Sequence, residues 1–127
     1  MGANKMAKKV IFADDDDLVR RSLAGYMKVC VDGIEIEDVP DGESLVKKVR
    51  EGAYSLVLTD NDMGPGKMNG IDVIMEIRTF NPQVPIYMLS SGSKGVEALQ
   101  AGATGYINKS GKTVLQELEQ AIQQHLS

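Results

Sequence analysis

Residues that build thiolate, imidazole and disulfide centres are scarce in this chain. Its 127 residues include a single Cys, Cys30, a single His, His125, and no Trp. One Cys excludes an intramolecular disulfide, and the two residues together are too few for a Cys/His zinc site. Because Cys30 ends an apolar helical pattern, we expect it to pack against neighbours, whereas His125 is expected to be solvated. Any chemistry must therefore come from Asp, Lys, Ser and the backbone.

Long apolar runs and dense basic clusters are absent as well. No apolar stretch approaches the ~20 residues of a membrane span, and the 14 basic residues are dispersed among 18 acidic ones. Direct contact with a membrane or a nucleic acid is therefore not expected. The composition, 43% hydrophobic and 25% charged, is typical of a soluble globular protein. We expect one cytoplasmic domain over residues 1–127, with residues 1–7 as a leader.

Short apolar runs alternate with helical apolar patterns along the chain. The runs predict five strands, at residues 10–13, 34–37, 56–58, 86–89 and 106–107. The periodic segments predict helices at residues 17–29, 42–51, after 69, at 94–101 and from 112 onward. The third helix is expected to bury Ile71, Ile74, Met75 and Ile77, and the last helix Leu115, Leu118, Ile122 and Leu126.

This alternation predicts an α/β fold with a doubly wound parallel sheet and helices on both faces. The strand at residues 34–37 alternates between polar and apolar residues, as an edge strand does, whereas residues 10–13 and 56–58 are continuously apolar. That pattern favours a flavodoxin-like strand order of 2-1-3-4-5. Ligands of such sheets bind beyond the carboxyl ends of the strands.

Polar side chains follow four of the predicted strands. They are Asp14 and Asp15, Asp60, Ser90 and Lys109. Carboxylates held close together repel one another, and a hard cation such as Mg²⁺ with oxygen ligands relieves that repulsion. A carboxylate nucleophile beside Mg²⁺, a lysine and a hydroxyl suits phosphoryl transfer. The simpler interpretation, that aspartates here only cap a helix, applies best to Asp16 or Asp17.

Four segments of the chain resemble, in order, the receiver domain of two-component response regulators. Residues 10–20 resemble its first strand and acidic pair, and residues 54–60 the strand that leads to its phosphoacceptor. Residues 88–91 resemble the strand with its switch hydroxyl, and residues 101–109 the stretch that ends in its lysine. The resemblance covers essentially the whole chain and implies the fold of a single-domain receiver of the chemotaxis type.

The resemblance implies a role for each residue of the pocket. Asp60 would be the phosphoacceptor. Asp15 would bind Mg²⁺ directly and Asp14 mainly through water, with Asp60 and the backbone carbonyl of Asp62 completing the protein ligands. Lys109 would pair first with the acceptor carboxylate and then with the phosphoryl group.

The resemblance also implies a switch and its partners. Ser90 would move toward the phosphoryl oxygens, which lets the ring of Tyr106 turn inward. The donor would be a histidine kinase or a histidine phosphotransfer protein, and the output a downstream effector protein or domain. Such a domain is not an enzyme, because it catalyses only its own phosphorylation and dephosphorylation.

Three features depart from the family's usual pattern. The segment between Asp60 and Gly70 is longer, with the excess at residues 64–67, and the segment between Ser90 and Lys109 is shorter. Ser110 follows the lysine where the family has a Pro in a cis peptide. A cis bond before a residue other than Pro costs about 3 kcal/mol, so Lys109 either tolerates that cost or precedes a trans bond.

Three other functions are compatible with parts of this pattern. A pseudo-receiver would bind partners without phosphorylation, which the full set of acidic, hydroxyl and lysine groups disfavours. A haloacid-dehalogenase-type hydrolase shares the Asp-x-Asp pattern of residues 60–62, but 127 residues leave little room for its cap. A flavodoxin-like cofactor protein needs a phosphate-binding loop after the first strand, where four aspartates would repel a phosphate.

Overall fold

Strands and helices alternate throughout the part of the chain that the computed structural model describes, residues 8–126. The expected leader at residues 1–7 lies outside the described residues. The elements in chain order are β1 (Lys8–Ala13), α1 (Asp17–Cys30), β2 (Ile34–Val39), α2 (Gly42–Glu51), β3 (Leu56–Asp60), α3 (Gly70–Phe80), β4 (Ile86–Ser90), α4 (Gly95–Ala101), β5 (Gly105–Asn108) and α5 (Val114–Leu126).

The five strands form one parallel sheet in the order β2-β1-β3-β4-β5, which confirms the predicted topology. β2 lies at an edge, and β1 and β3 are central, as their sequence patterns indicate. β3 and β4 are longer than predicted at their carboxyl ends. Asp60 pairs with Leu89, and Ser90 pairs with Asn108. Both Asp60 and Ser90 are therefore held by the backbone ladder of the sheet.

The core lies in two layers, one on each face of the sheet. The first layer joins one face of the strands to α2, α3 and α4, through residues such as Ile11, Val57, Met88, Leu45, Ile74 and Ala98. The second joins the other face to α1 and α5, through residues such as Val10, Phe12, Leu58, Met27, Leu118 and Ile122. Neighbouring residues of β1 and β3 thus point into different layers, and this is why both strands are continuously apolar.

The inward faces of two helices differ from the prediction. Met75 of α3 and Leu115 of α5 were both expected inside, but they are 51% and 46% exposed. The buried stripe of α3 instead includes Val73, which precedes the predicted position by two residues. Met75 therefore faces solvent because the helix is rotated relative to the predicted phase. None of the helices within residues 8–126 has the length and apolar character needed to cross a membrane.

The environments of the lone Cys and His are partly as expected. Cys30 is half-buried and packs against the second core layer, which confirms its packing role. His125 is not simply solvated, because its Nε2 atom lies 3.1 Å from the hydroxyl of Tyr87 and the two rings meet edge to face. The expectation for His125 was wrong because the last turn of α5 packs against Tyr87 of β4.

Two glycines at helical positions predict opposite stability changes. A Cβ at Gly25, inside α1, would meet no atom within 4 Å, whereas one at Gly42 would lie 2.5 Å from Cγ2 of Val73. Gly25→Ala is therefore expected to raise the free energy of unfolding by about 0.5–1 kcal/mol, since Ala loses less backbone entropy in a helix. Gly42→Ala is expected to lower it by about 1–3 kcal/mol through overpacking. Denaturant unfolding of both variants checks the signs, and stabilisation by Gly42→Ala would contradict the packing described.

Candidate functional site

The carboxyl edge of the sheet, where all five strands end, brings together the residues that the strand ends predicted. Asp14 and Asp15 follow β1, Asp60 ends β3, and Lys109 follows β5. Carboxylate oxygens of the three aspartates lie within 4.8 Å of one another. The Nζ atom of Lys109 lies 3.0 Å from Oδ2 of Asp14 and 3.3 Å from Oδ2 of Asp60. One ammonium group thus bridges two carboxylates.

Backbone amides orient the same two carboxylates from the other side. The N–H of Asp16 donates to Oδ1 of Asp14 at 2.9 Å, and the N–H of Asn61 donates to Oδ1 of Asp60 at 2.8 Å. Each carboxylate therefore has one oxygen on a backbone donor and one on the lysine. An ionised carboxylate offers about four lone-pair positions, so each still has acceptor capacity for a further ligand.

Burial makes the charges of this site interdependent. The side chains of Asp14, Asp60 and Lys109 are 4%, 12% and 26% exposed. Burial raises the pKa of the Asp60 carboxyl; the Lys109 ammonium opposes that rise and the Asp14 carboxylate adds to it. Burial alone would lower the pKa of Lys109, but its hydrogen bond and charge interactions with Asp14 and Asp60 raise it overall. The lysine therefore stays charged and neutralises the carboxylates.

Two backbone carbonyls of the site are held by side chains that the sequence did not reveal as part of it. Arg20 donates to the carbonyl of Asp14 at 2.7 Å and also pairs with Asp17 and Asp38. The buried hydroxyl of Thr59 donates to the carbonyl of Asp60 at 2.8 Å. The capping prediction is confirmed for Asp16, whose carboxylate accepts from Leu18 and Val19 at the start of α1. The Asp16 carboxylate thus caps α1, while its backbone N–H donates to Asp14 in the pocket.

The acceptor loop, residues 61–69, lies between the site and the start of α2. Met63 is 3% exposed and packs in the first core layer, although it lies within a loop. The ammonium of Lys67 lies 3.8 Å from Asp41, and the N–H of Met68 donates to Glu43 at 3.2 Å. Gly64 has a φ of +103°, which favours glycine, and a Cβ there would lie 3.7 Å from Oδ2 of Asp15. Gly64, one of the residues that lengthen this loop, therefore lies close to Asp15.

The donor set of the pocket fits a hard divalent cation. Asp15 is exposed and makes no hydrogen bond or ion pair within the described residues, while Asp14 and Asp60 keep acceptor capacity. All three groups offer oxygen, the ligand that Mg²⁺ prefers, and the open side of Asp15 leaves room for the waters that Mg²⁺ keeps. The Asp62 carboxylate accepts the N–H of Gly64 at 3.1 Å. The role of the Asp62 carbonyl as a ligand stays a prediction.

Ser90 and Tyr106, the two predicted switch residues, are joined at the same edge. Ser90 is 7% exposed, and its hydroxyl oxygen accepts the N–H of Gly92 at 3.3 Å. The hydroxyl of Tyr106 donates to the carbonyls of Ser90, at 3.0 Å, and Gly92. The N–H of Lys109 also donates to the carbonyl of Ser90 at 3.0 Å. Lys109 precedes a trans peptide bond, so the departure at Ser110 involves no cis bond.

Known proteins resemble this chain over most of its described length. The family model of the response regulator receiver domain matches residues 10–123. The chain belongs to this family. Relatives include the transcriptional regulatory protein ZraR of Klebsiella oxytoca, with 34% identity over 79% of this chain and 22% of ZraR. The response regulator protein VraR of Staphylococcus epidermidis is 32% identical over 82% of this chain and 50% of VraR. The receiver thus spans half or less of the length of these two relatives.

Solved structures of receivers have the same fold. The chemotaxis protein CheY4 of Vibrio cholerae matches with a TM-score of 0.80 and 25% identity, over 95% of this receiver and 100% of CheY4. The phosphorylated cyanobacterial phytochrome response regulator RcpA matches with a TM-score of 0.84 over 96% of each chain. Its identity is 19%, so this likeness shows the fold alone.

The charges of the pocket predict opposite effects for two substitutions. Because the folded-state pKa of Asp60 is raised, its ionised form costs stability above that pKa, and the cost disappears as the pH falls. Asp60→Asn should therefore raise the melting temperature at neutral pH without divalent ions, with a smaller gain in acid. Lys109→Met should lower stability by on the order of 3 kcal/mol, because Asp14 would remain buried without its cation. Thermal melts with a chelator check both, and a loss of stability in Asp60→Asn would contradict this electrostatic account.

Proposed function

We propose that this receiver accepts a phosphoryl group on Asp60 from a phosphohistidine of a histidine kinase or a histidine phosphotransfer protein. The observation that carries the proposal is the Lys109 ammonium, which lies 3.3 Å from the Asp60 carboxylate and 3.0 Å from that of Asp14. This arrangement holds the acceptor oxygen beside a fixed positive charge. Membership of the receiver family supports the same role.

The proposed step exchanges one phosphorus bond for another. A carboxylate oxygen of Asp60 forms a bond to phosphorus while the phosphorus–nitrogen bond of the phosphohistidine breaks, and the electron pair of that bond stays on the imidazole nitrogen. Lys109 neutralises the charge on the phosphoryl oxygens as the group transfers. Mg²⁺ held by Asp14, Asp15, Asp60 and the Asp62 carbonyl would neutralise the same oxygens. Hydrolysis of the acyl phosphate by water then restores the carboxylate.

Ser90 and Tyr106 are the proposed route from the phosphoryl group to a partner. The Ser90 hydroxyl accepts the N–H of Gly92, and its own O–H would be donated to a phosphoryl oxygen, which is a strong acceptor because it is charged. Movement there would reach Tyr106, whose hydroxyl bonds the carbonyls of Ser90 and Gly92. The neighbouring helix α4 exposes Val96 and Leu99, which are 66% and 52% accessible. We infer that an effector protein or domain responds to this face.

A pseudo-receiver, which binds partners without phosphorylation, is the main competing function. The haloacid-dehalogenase alternative is set aside by the family match. A pseudo-receiver does not need an acceptor oxygen, a bridging lysine and a buried hydroxyl at one edge, whereas phosphoryl transfer uses all three. We propose that the domain is a switch and not an enzyme, because the only reactions it catalyses are its own phosphorylation and dephosphorylation. Its cytoplasmic location stays a prediction.

A small phosphodonor tests the proposed acceptor. Incubation with acetyl phosphate and Mg²⁺ is expected to add one phosphoryl group, which mass spectrometry of peptides after borohydride reduction would place on Asp60. Asp60→Asn should lose the modification. Asp62→Asn, two residues further on at an exposed position, should keep it and is the matched control. An unmodified wild-type protein would favour the pseudo-receiver, and modification that persists in Asp60→Asn would place the acceptor elsewhere.

Mg²⁺ should stabilise the unphosphorylated domain through Asp15. A ligand that binds only the folded state at about a hundred times its Kd adds about 2.7 kcal/mol to the free energy of unfolding. Asp15→Ala should lose most of this Mg²⁺-dependent rise in melting temperature. Asp16→Ala should lower the free energy of unfolding by about 1 kcal/mol because it removes the cap of α1. Its melting temperature should nevertheless rise with Mg²⁺ as much as that of the wild type. Equal responses in Asp15→Ala and the wild type would contradict the proposed ligand set.

A further inference from the structure

Asn61, the residue after the proposed acceptor, contacts both ends of the acceptor loop. Its N–H donates to Oδ1 of Asp60 at 2.8 Å. Its carbonyl accepts the N–H of Gly70 at 2.9 Å, and its side-chain Oδ1 accepts the N–H of Ile71 at 3.3 Å. One residue therefore joins the acceptor carboxylate, the end of β3 and the first turn of α3.

The start of α3 packs directly against the end of β3 at this point. A Cβ on Gly70 would overlap the carbonyl oxygen of Asp60 and would lie 2.9 Å from Cα of Asn61. Only a glycine permits this close approach between the two ends of the acceptor loop. The hydrogen bonds of Asn61 with Gly70 and Ile71 therefore join loop ends that are already in contact. The other polar anchors of the loop, at Lys67 and Met68, connect it to α2 on its far side. They do not contact Asp60.

We propose that Asn61 is a positioning residue for phosphoryl transfer: its side chain holds its own backbone in the orientation that keeps its N–H on the Asp60 carboxylate. This inference rests on the proposed function of Asp60. The Thr59 hydroxyl also holds the carbonyl of Asp60, so loss of the Oδ1 bond to Ile71 would loosen the peptide between Asp60 and Asn61 without freeing it. A small rotation of this peptide would turn the N–H away from Oδ1 of Asp60 and displace the Asp62 carbonyl that follows. A displacement of about 1 Å in such a site is enough to slow a reaction by up to about a hundredfold.

Asn69 separates this role from simple stabilisation of α3. Its Oδ1 accepts the N–H of Asp72 at 2.9 Å and caps the same helix. Asn61 and Asn69 therefore each offer one amide oxygen to a backbone N–H in the first turn of α3. Only Asn61 also touches the acceptor, which makes Asn69→Ala a matched control for Asn61→Ala.

The test measures phosphorylation and Mg²⁺ binding in the two variants at a temperature where both are folded. With acetyl phosphate and Mg²⁺, Asn61→Ala is expected to lower the maximal rate by about tenfold or more, while the half-saturating donor concentration changes little because Asn61 does not contact the donor. Its Mg²⁺-dependent rise in melting temperature should also shrink. Asn69→Ala should keep the wild-type rate and the wild-type response to Mg²⁺, although it loses a similar amount of stability.

Two outcomes would overturn the inference. Equal rates and equal Mg²⁺ responses in Asn61→Ala and Asn69→Ala would reduce Asn61 to a helix cap. A wild-type protein that binds Mg²⁺ but takes no phosphoryl group would contradict the proposed function alone. The Mg²⁺ responses of the two variants would then still show whether Asn61 positions the pocket. A wild-type protein that neither binds Mg²⁺ nor is phosphorylated would overturn both.

Discussion

The Lys109 ammonium, shared between the carboxylates of Asp14 and Asp60, is the interaction on which the carboxyl edge of the sheet depends. Two nearly buried carboxylates next to each other would raise the free energy of the folded state unless a cation lay between them. Lys109 follows β5, while Asp60 ends β3, so the lysine side chain must pass the end of β4. The bond from its N–H to the carbonyl of Ser90 fixes where that side chain starts. The site therefore requires the correct register of four strands.

This requirement connects the fold to the proposed chemistry. A carboxylate that is orientated by a backbone N–H and an ammonium has little freedom to move, so a phosphoryl donor meets an acceptor already in place. Asp15 is exposed at one side of the pocket, which is the side from which a cation and a donor can enter. The same lysine neutralises charge before the transfer and after it. A single charged group can thus serve both the stability of the fold and its proposed reaction.

Much of the fold could be predicted from the sequence because it depends on short-range patterns. Continuous apolar runs placed β1 and β3 at the centre, alternation placed β2 at the edge, and the capping pattern placed Asp16 before α1. The errors at Met75 and Leu115 have different causes. Met75 lies beside the buried Ile74, where a small rotation about the helix axis exchanges an inward for an outward position. Leu115 lies in the first turn of α5, where the neighbouring Val114 packs against the core instead.

The same distinction applies to the site: the contacts set by the strand order could be predicted, and those set by loop and helix packing could not. Asp14, Asp60 and Lys109 could be predicted to meet because parallel strands end at one edge, and the sequence marks each strand end. The contacts of Asn61, Met63 and Arg20 could not, because they depend on how the acceptor loop closes and how α1 lies over β1. An Asn after a strand is as typical of a local turn as of a hydrogen bond with a residue ten positions later, which here is Ile71. The buried Met63 gave no signal either, since a single apolar residue within a polar loop is common.

The most direct test of the central claim is a crystal structure of the protein with beryllium fluoride and Mg²⁺, which together imitate a phosphoryl group on a carboxylate. The account predicts beryllium bonded to an oxygen of Asp60, Mg²⁺ bound by Asp15 among its ligands, and the Nζ atom of Lys109 in contact with a fluoride. Asp14 should stay within hydrogen-bonding distance of the lysine. Beryllium on Asp14 or Asp62, or an unmodified Asp60 with Lys109 turned out of the pocket, would contradict the account.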